Sequence, residues 1–121
     1  MRTVLVGHET AARALLALAL LPFLYFAVRD QVLHLTIRRV PVAENVVHAA
    51  LAVLLAAVIV RAFLFDVASV AGGVLAFALV GAIDEFGFHR GLPADEHDVH
   101  AKEHFALFIF VAVFGVLSRA R

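Results

Sequence analysis

Four apolar stretches divide the chain almost completely. The first runs from Ala11 to Val28, interrupted only by Arg13 near its start, and the second from Val46 to Val60, enclosing His48. The third covers Val67 to Ile83 and the fourth Phe105 to Leu117. Crossing about 30 Å of hydrocarbon takes roughly 20 residues of helix. The first and third stretches come close to that length alone. The second and fourth reach it only by taking in flanking turns that carry Glu44 and His97 to His104. The pattern predicts an all-α integral membrane protein with four transmembrane helices in an up-down bundle, both termini on the same side. A single domain over residues 1–121 is expected, with spans at about 9–34, 42–63, 66–89 and 94–118.

The breaks between spans carry the expected punctuation. Arg38-Arg39-Val40-Pro41 separates the first two, and Pro41 suits the first turn of the second helix. Arg61 to Asp66 makes a short connection in which Asp66 can cap the third helix. Gly91-Leu92-Pro93-Ala94-Asp95 closes the third and opens the fourth. Pro22 is predicted to kink the first helix. Ala68, Gly72 and Ala76 form a small-residue stripe for close helix approach. Arg2 and Arg13 resemble the basic start of a signal peptide, but no small-residue cleavage site follows Pro22, so the first segment reads as a retained span.

Composition narrows the chemistry. Hydrophobic residues make up 64 % of the chain and there are no cysteines, which excludes disulfides, thiolate zinc sites and Cys-ligated iron–sulfur clusters. A formal net charge of zero argues against nucleic acid as a partner. Lys and Arg divide evenly between the two sides: Arg2, Arg13, Arg61, Arg119 and Arg121 on one, Arg29, Arg38, Arg39, Arg90 and Lys102 on the other. With equal counts the positive-inside rule does not orient the chain; clustering at the chain ends leans toward cytoplasmic termini.

Three of the five glutamates have a histidine four residues later: Glu44 and His48, Glu85 and His89, Glu96 and His100. His104 follows His100 at the same interval. Positions four apart lie one above the other on a helix, so each pair can aim a carboxylate and an imidazole at one point. With seven histidines in 121 residues, a glutamate meets histidine at that offset by chance about 6 % of the time, so about 0.3 pairs are expected.

Alternating the spans brings these pairs toward one end. That side collects Asp30, His34, Glu44, His48, Asp84, Glu85, His89, Asp95, Glu96, His97, Asp98, His100, Glu103 and His104, leaving His8, Glu9 and Asp66 on the other. On the fourth helix, Glu96, His97, His100, Glu103 and His104 fall within an arc of about 120°, predicted to face inward. Buried carboxylates gathered so closely repel one another unless a cation is present.

Glu44, His48, Glu85, His89, Glu96, His100 and His104 are therefore the candidate metal ligands. Asp84, His97, Glu103, Asp30 and His34 are further ligands or hydrogen-bond partners that orient them. Seven donors suit two divalent ions, iron first, with zinc or manganese as alternatives. The donor set resembles the ferritin-like di-metal carboxylate bundles, though the spacing here is i, i+4 rather than i, i+3 and the chain lies in a membrane. Membrane desaturases and hydroxylases are a second resemblance, without their clusters of adjacent histidines. The expected function is a dinuclear, di-iron oxidoreductase acting on a lipid-soluble substrate. The alternatives are a zinc-dependent membrane hydrolase, a non-enzymatic metal or proton carrier, and a haem cytochrome ranked last, since haem does not explain the paired glutamates. The lipid bilayer is the expected partner, a homo-oligomer is compatible, and the catalytic residues are unassigned.

Overall fold

The computed structural model describes residues 2–36, 41–87 and 94–119, and outside Pro41 and the connection at 64–66 every described residue is helical. The helices are α1 (Arg2–Thr36), α2 (Val42–Phe63), α3 (Val67–Gly87) and α4 (Ala94–Arg119). All four are long and apolar enough to cross a membrane, and no strand occurs among the described residues. The all-helical, four-span class is as expected, and a four-helix bundle accommodates it. Leu15 and Leu18 of α1, Val53 of α2, Leu79 of α3 and Phe105 and Phe108 of α4 are exposed. Large apolar side chains spread over every helix surface would favour association in water; lipid tails match them.

α1 runs from Arg2 to Thr36 with Pro22 inside it, and the part of it long and apolar enough to span, Gly7–Thr36, begins near the expected residue 9. The start of α2 differs from the sequence expectation. Pro41 is the N-cap of α2 rather than part of its first turn: its backbone is extended at φ −61° and ψ 151°. From there its carbonyl accepts the Asn45 N–H at 3.1 Å. The expected extension of the third span to residue 89 lies outside the described residues.

The chain divides into two compact units, Met1–Val32 with Asp95–Arg121, and Leu33–Ala94. In the second unit α2 and α3 form a tight antiparallel hairpin. The Phe65 N–H donates to the Ala62 carbonyl at 3.0 Å and the Asp66 N–H to the Arg61 carbonyl at 3.0 Å. Together these are a Schellman motif, which satisfies the orphan carbonyls at the end of α2. Its left-handed position is held by Phe65, at φ 55°, where glycine is usual.

Asp66 then starts α3 as expected. The Ser69 N–H donates to Asp66 Oδ1 at 3.2 Å and the Ser69 hydroxyl to Oδ2 at 2.6 Å. These two bonds, led by the hydroxyl, hold the Asp66 carboxyl below its ordinary value; Arg61 adds to the effect and desolvation opposes it. Further along, a Cβ on Gly73 would stand 2.6 Å from Val58 Cγ2. The close approach of α2 and α3 is therefore made at Gly73. Gly72, the residue of the expected stripe, is exposed with nothing within 4 Å of a Cβ placed there.

In the first unit, α1 buries Leu16, Phe23 and Asp30, spaced seven apart. Seven residues are close to two helical turns, so the carboxylate occupies the stripe that carries the two core side chains. α4 buries Glu96, Val99, His100, Ala106, Phe110 and Phe114. Here too a polar first third and an apolar remainder share one stripe. The fold thus places ionisable groups at positions that the hydrophobic pattern would otherwise fill.

Candidate metal sites

In the unit formed by residues 33–94, the last turn of α1 supplies His34, the first two turns of α2 supply Glu44 and His48, and the last turn of α3 supplies Asp84. His34, Glu44 and Asp84 are 2 %, 1 % and 3 % exposed. One carboxylate oxygen, Glu44 Oε1, lies 3.7 Å from His34 Nε2 and 3.8 Å from His48 Nε2. The two imidazoles meet edge to face, with centroids 4.7 Å apart and planes at 77°. His48 Nε2 is also 3.0 Å from Asp84 Oδ1 and 3.2 Å from Oδ2.

His34, Glu44 and His48 each offer one donor atom, all within 4.8 Å of one another. Adjacent donors on one ion, with bonds of about 2.0–2.2 Å, sit roughly 3.0–3.5 Å apart. The Glu44 contacts are a few tenths of an ångström wider. Both contacts exceed the length of an ordinary neutral hydrogen bond.

In the unit formed by residues 1–32 and 95–121, α1 and α4 build a second group from Asp30, His100 and Glu103. His100 Nδ1 is 3.3 Å from Asp30 Oδ2 and 3.9 Å from Glu103 Oε2. Asp30 and His100 are buried and Glu103 is half-buried. The His104 ring leans on His100 with centroids 4.4 Å apart. Glu96, one turn before His100, is fully buried. An isolated carboxylate buried among apolar helices is costly, and a metal ion, a protonated imidazole or protonation of the carboxyl itself relieves that cost.

Of the seven ligand candidates read from the sequence, Glu44 and His48 stand together in one group and His100 stands in the other. Glu96 is buried, Glu85 is half-buried and His104 is exposed. His89 lies outside the described residues. His97, placed by helical angle on the inner arc, is exposed as well. The reason is the direction of the α4 stripe. Taking Glu96 as zero, its buried residues run from about −80° at Ala106 to about +40° at His100, while His104 and His97 lie at about +80° and +100°. The polar arc and the buried stripe overlap only in part.

Asp30, His34 and Glu103, read as additional ligands or orienting partners, stand within these groups, and Asp84 contacts His48 beside one of them. Asp30-x-x-x-His34 has the spacing of the three glutamate pairs with aspartate in the glutamate's place. That spacing marks both residues, and a count of glutamates alone passes over it. Asp84 has no comparable mark, since no histidine follows it by four.

Chemically, each group mixes imidazole nitrogen with carboxylate oxygen, a donor set suited to iron, manganese or zinc and ill suited to copper(I). Comparison with protein-family models, curated proteins and solved structures finds no match to this chain.

Proposed function

We propose that this chain is a membrane metalloprotein holding two divalent ions, iron in the first place, and that it works as an oxidoreductase on a lipid-soluble substrate. The supporting observation is the pair of buried groups, His34–Glu44–His48 and Asp30–His100–Glu103, each set into apolar helices. Glu96, Glu85, His89 and His104 are the further donors in this reading, and the termini face the cytoplasm. Iron at these ligands would supply the electrons for reducing dioxygen as the substrate is oxidised. The protein's own part is to neutralise and orient: its carboxylates balance the ions, its apolar spans exclude water, and its imidazoles are held by neighbouring carboxylates.

The reading is tested by purifying the protein from membranes without added metal and measuring its metal content. Two equivalents of iron per chain are expected, and magnetic coupling between them would make the centre dinuclear. Two equivalents of zinc instead would turn the assignment to hydrolysis, with the metal activating water. Iron or zinc that exchanges rapidly with solution, without turnover of any substrate, would turn it to a carrier. A metal-free protein that refuses added iron and zinc would end the reading.

A further inference from the structure

We propose that Asp84 is the fourth donor of the His34–Glu44–His48 group, completing a site of two nitrogens and two oxygens for a divalent transition-metal ion. The inference rests on the reading that this group binds metal, and it concerns which carboxylate of α3 takes part. Sequence spacing favours Glu85, through its pairing with His89; the geometry points to its neighbour.

Both oxygens of Asp84 face one atom, His48 Nε2, at 3.0 and 3.2 Å. That same nitrogen is the His48 atom near Glu44 Oε1, at 3.8 Å. A carboxylate that merely orients a ligating imidazole grips the ring nitrogen turned away from the metal. Here Asp84 approaches the nitrogen that also faces Glu44. Its spacing to that nitrogen is that of two adjacent donors on one ion. Asp84 stands beside the three donors that lie within 4.8 Å of one another, so in this proposal its carboxylate turns from His48 onto the ion that the other three hold.

Charge supports the assignment. With His34, His48 and Glu44 alone, a divalent ion leaves one net positive charge in a buried site. Adding Asp84, itself 3 % exposed, brings two carboxylates, two neutral imidazoles and the ion to zero. A neutral cluster is the least costly form in a low-dielectric span.

Helix geometry explains why the position falls on Asp84. Gly73, which meets Val58 of α2, precedes Asp84 by eleven residues, about three turns, so both lie on the face of α3 turned to α2. Glu85 is about 100° further round and half-buried. Two imidazoles with two carboxylates select zinc, iron(II) or cobalt(II) over magnesium and calcium, which take oxygen ligands.

Cobalt(II) titration of the full-length protein in detergent tests this, with zinc competition for affinity and a His100→Leu background to disable the second group. Asp84→Asn keeps the shape of the side chain and an oxygen that can accept from His48, but removes the anionic donor. It is expected to weaken binding more than about 100-fold, beyond the usual range for an outer partner, and to abolish the four-coordinate cobalt bands. Asp84→His should restore binding with shifted bands, as nitrogen replaces oxygen, and Asp98→Asn, at an exposed carboxylate paired with Lys102, should bind like the background protein. Asp84→Asn that keeps the background cobalt bands overturns the proposal, whatever its affinity. A background protein that binds neither cobalt nor zinc, while still folded by circular dichroism, overturns the metal reading of this group along with it.

Discussion

Gly73 of α3 faces Val58 of α2 so closely that a methyl group on it would stand 2.6 Å from Val58 Cγ2. Val58 is itself buried. The contact is side chain against backbone, so the valine must turn or the helices must part. Gly73→Ala should therefore destabilise the α2–α3 hairpin by about 1–3 kcal/mol, the usual range for overpacking. Val58→Ala in the same chain makes room for the new methyl. The double variant should be more stable than the sum of the two single changes by about 1 kcal/mol. Unfolding of the four proteins in mixed micelles measures this; strict additivity would show that the two residues do not press on each other.

The Asp66 cap makes a signed prediction for pH. Its folded carboxyl is held below the ordinary value of 3.8, first by the Ser69 hydroxyl, then by the Ser69 amide, with Arg61 adding and desolvation opposing. A depressed carboxyl binds fewer protons folded than unfolded, so it contributes stability above the unfolded value. That contribution is lost as pH falls below about 3.8 and through the folded value. Hydrogen exchange at the start of α3 should accelerate in that window, and Asp66→Asn should remove the step while leaving the cap's geometry. Equal acid sensitivity in the two proteins would contradict it.

Phe65 meets two opposing demands, a left-handed backbone and a buried ring. Truncation to alanine loses the ring and keeps the strain; truncation to glycine loses the ring and releases it. Phe65→Gly should therefore be more stable than Phe65→Ala by about 1 kcal/mol, although both fall below the unchanged protein. Thermal unfolding of the two variants decides the order.

The two His–carboxylate groups should load separately. Glu44→Gln is expected to remove one metal equivalent and His100→Ala the other, while the combined variant retains none. His97→Ala should change nothing, since that side chain is exposed. Elemental analysis of the purified variants reads all of this. Loss of both equivalents from either single change would show instead that the ions bind as one cooperative pair.

The spans are legible in the sequence because a bilayer demands long apolar runs, and the connection at Arg61 to Asp66 because a cap needs Asp at a particular position. The pairing of Glu44 with His48 is legible because it is local: one helix turn suffices to state it. What stays hidden is which way each helix faces. A membrane span is apolar on the lipid side and on the inner side alike, so periodicity does not mark the inner face as it does in water. Hence spacing points to Gly72 for the close approach instead of its neighbour, and does not mark Asp84 as the more deeply buried of the two adjacent carboxylates. His97 illustrates the same limit: its angle is sound, but the centre of the buried stripe is set by Phe110 and Phe114, which the polar arc ignores.

The link between α2 and α3 consists of Leu64, Phe65 and Asp66 and has no slack, because backbone hydrogen bonds occupy it. From Asp66 to Asp84 is eighteen residues, about 27 Å of helix. The turn on one side of the hairpin therefore sets the phase of α3 at the other end, like the zero mark of a dial. One residue inserted after Asp66 would advance everything beyond it by about 100° if the turn kept its form. The chemistry offered to His48 would then change with no substitution near His48 at all. Length in this turn is as much a part of the site as its carboxylates.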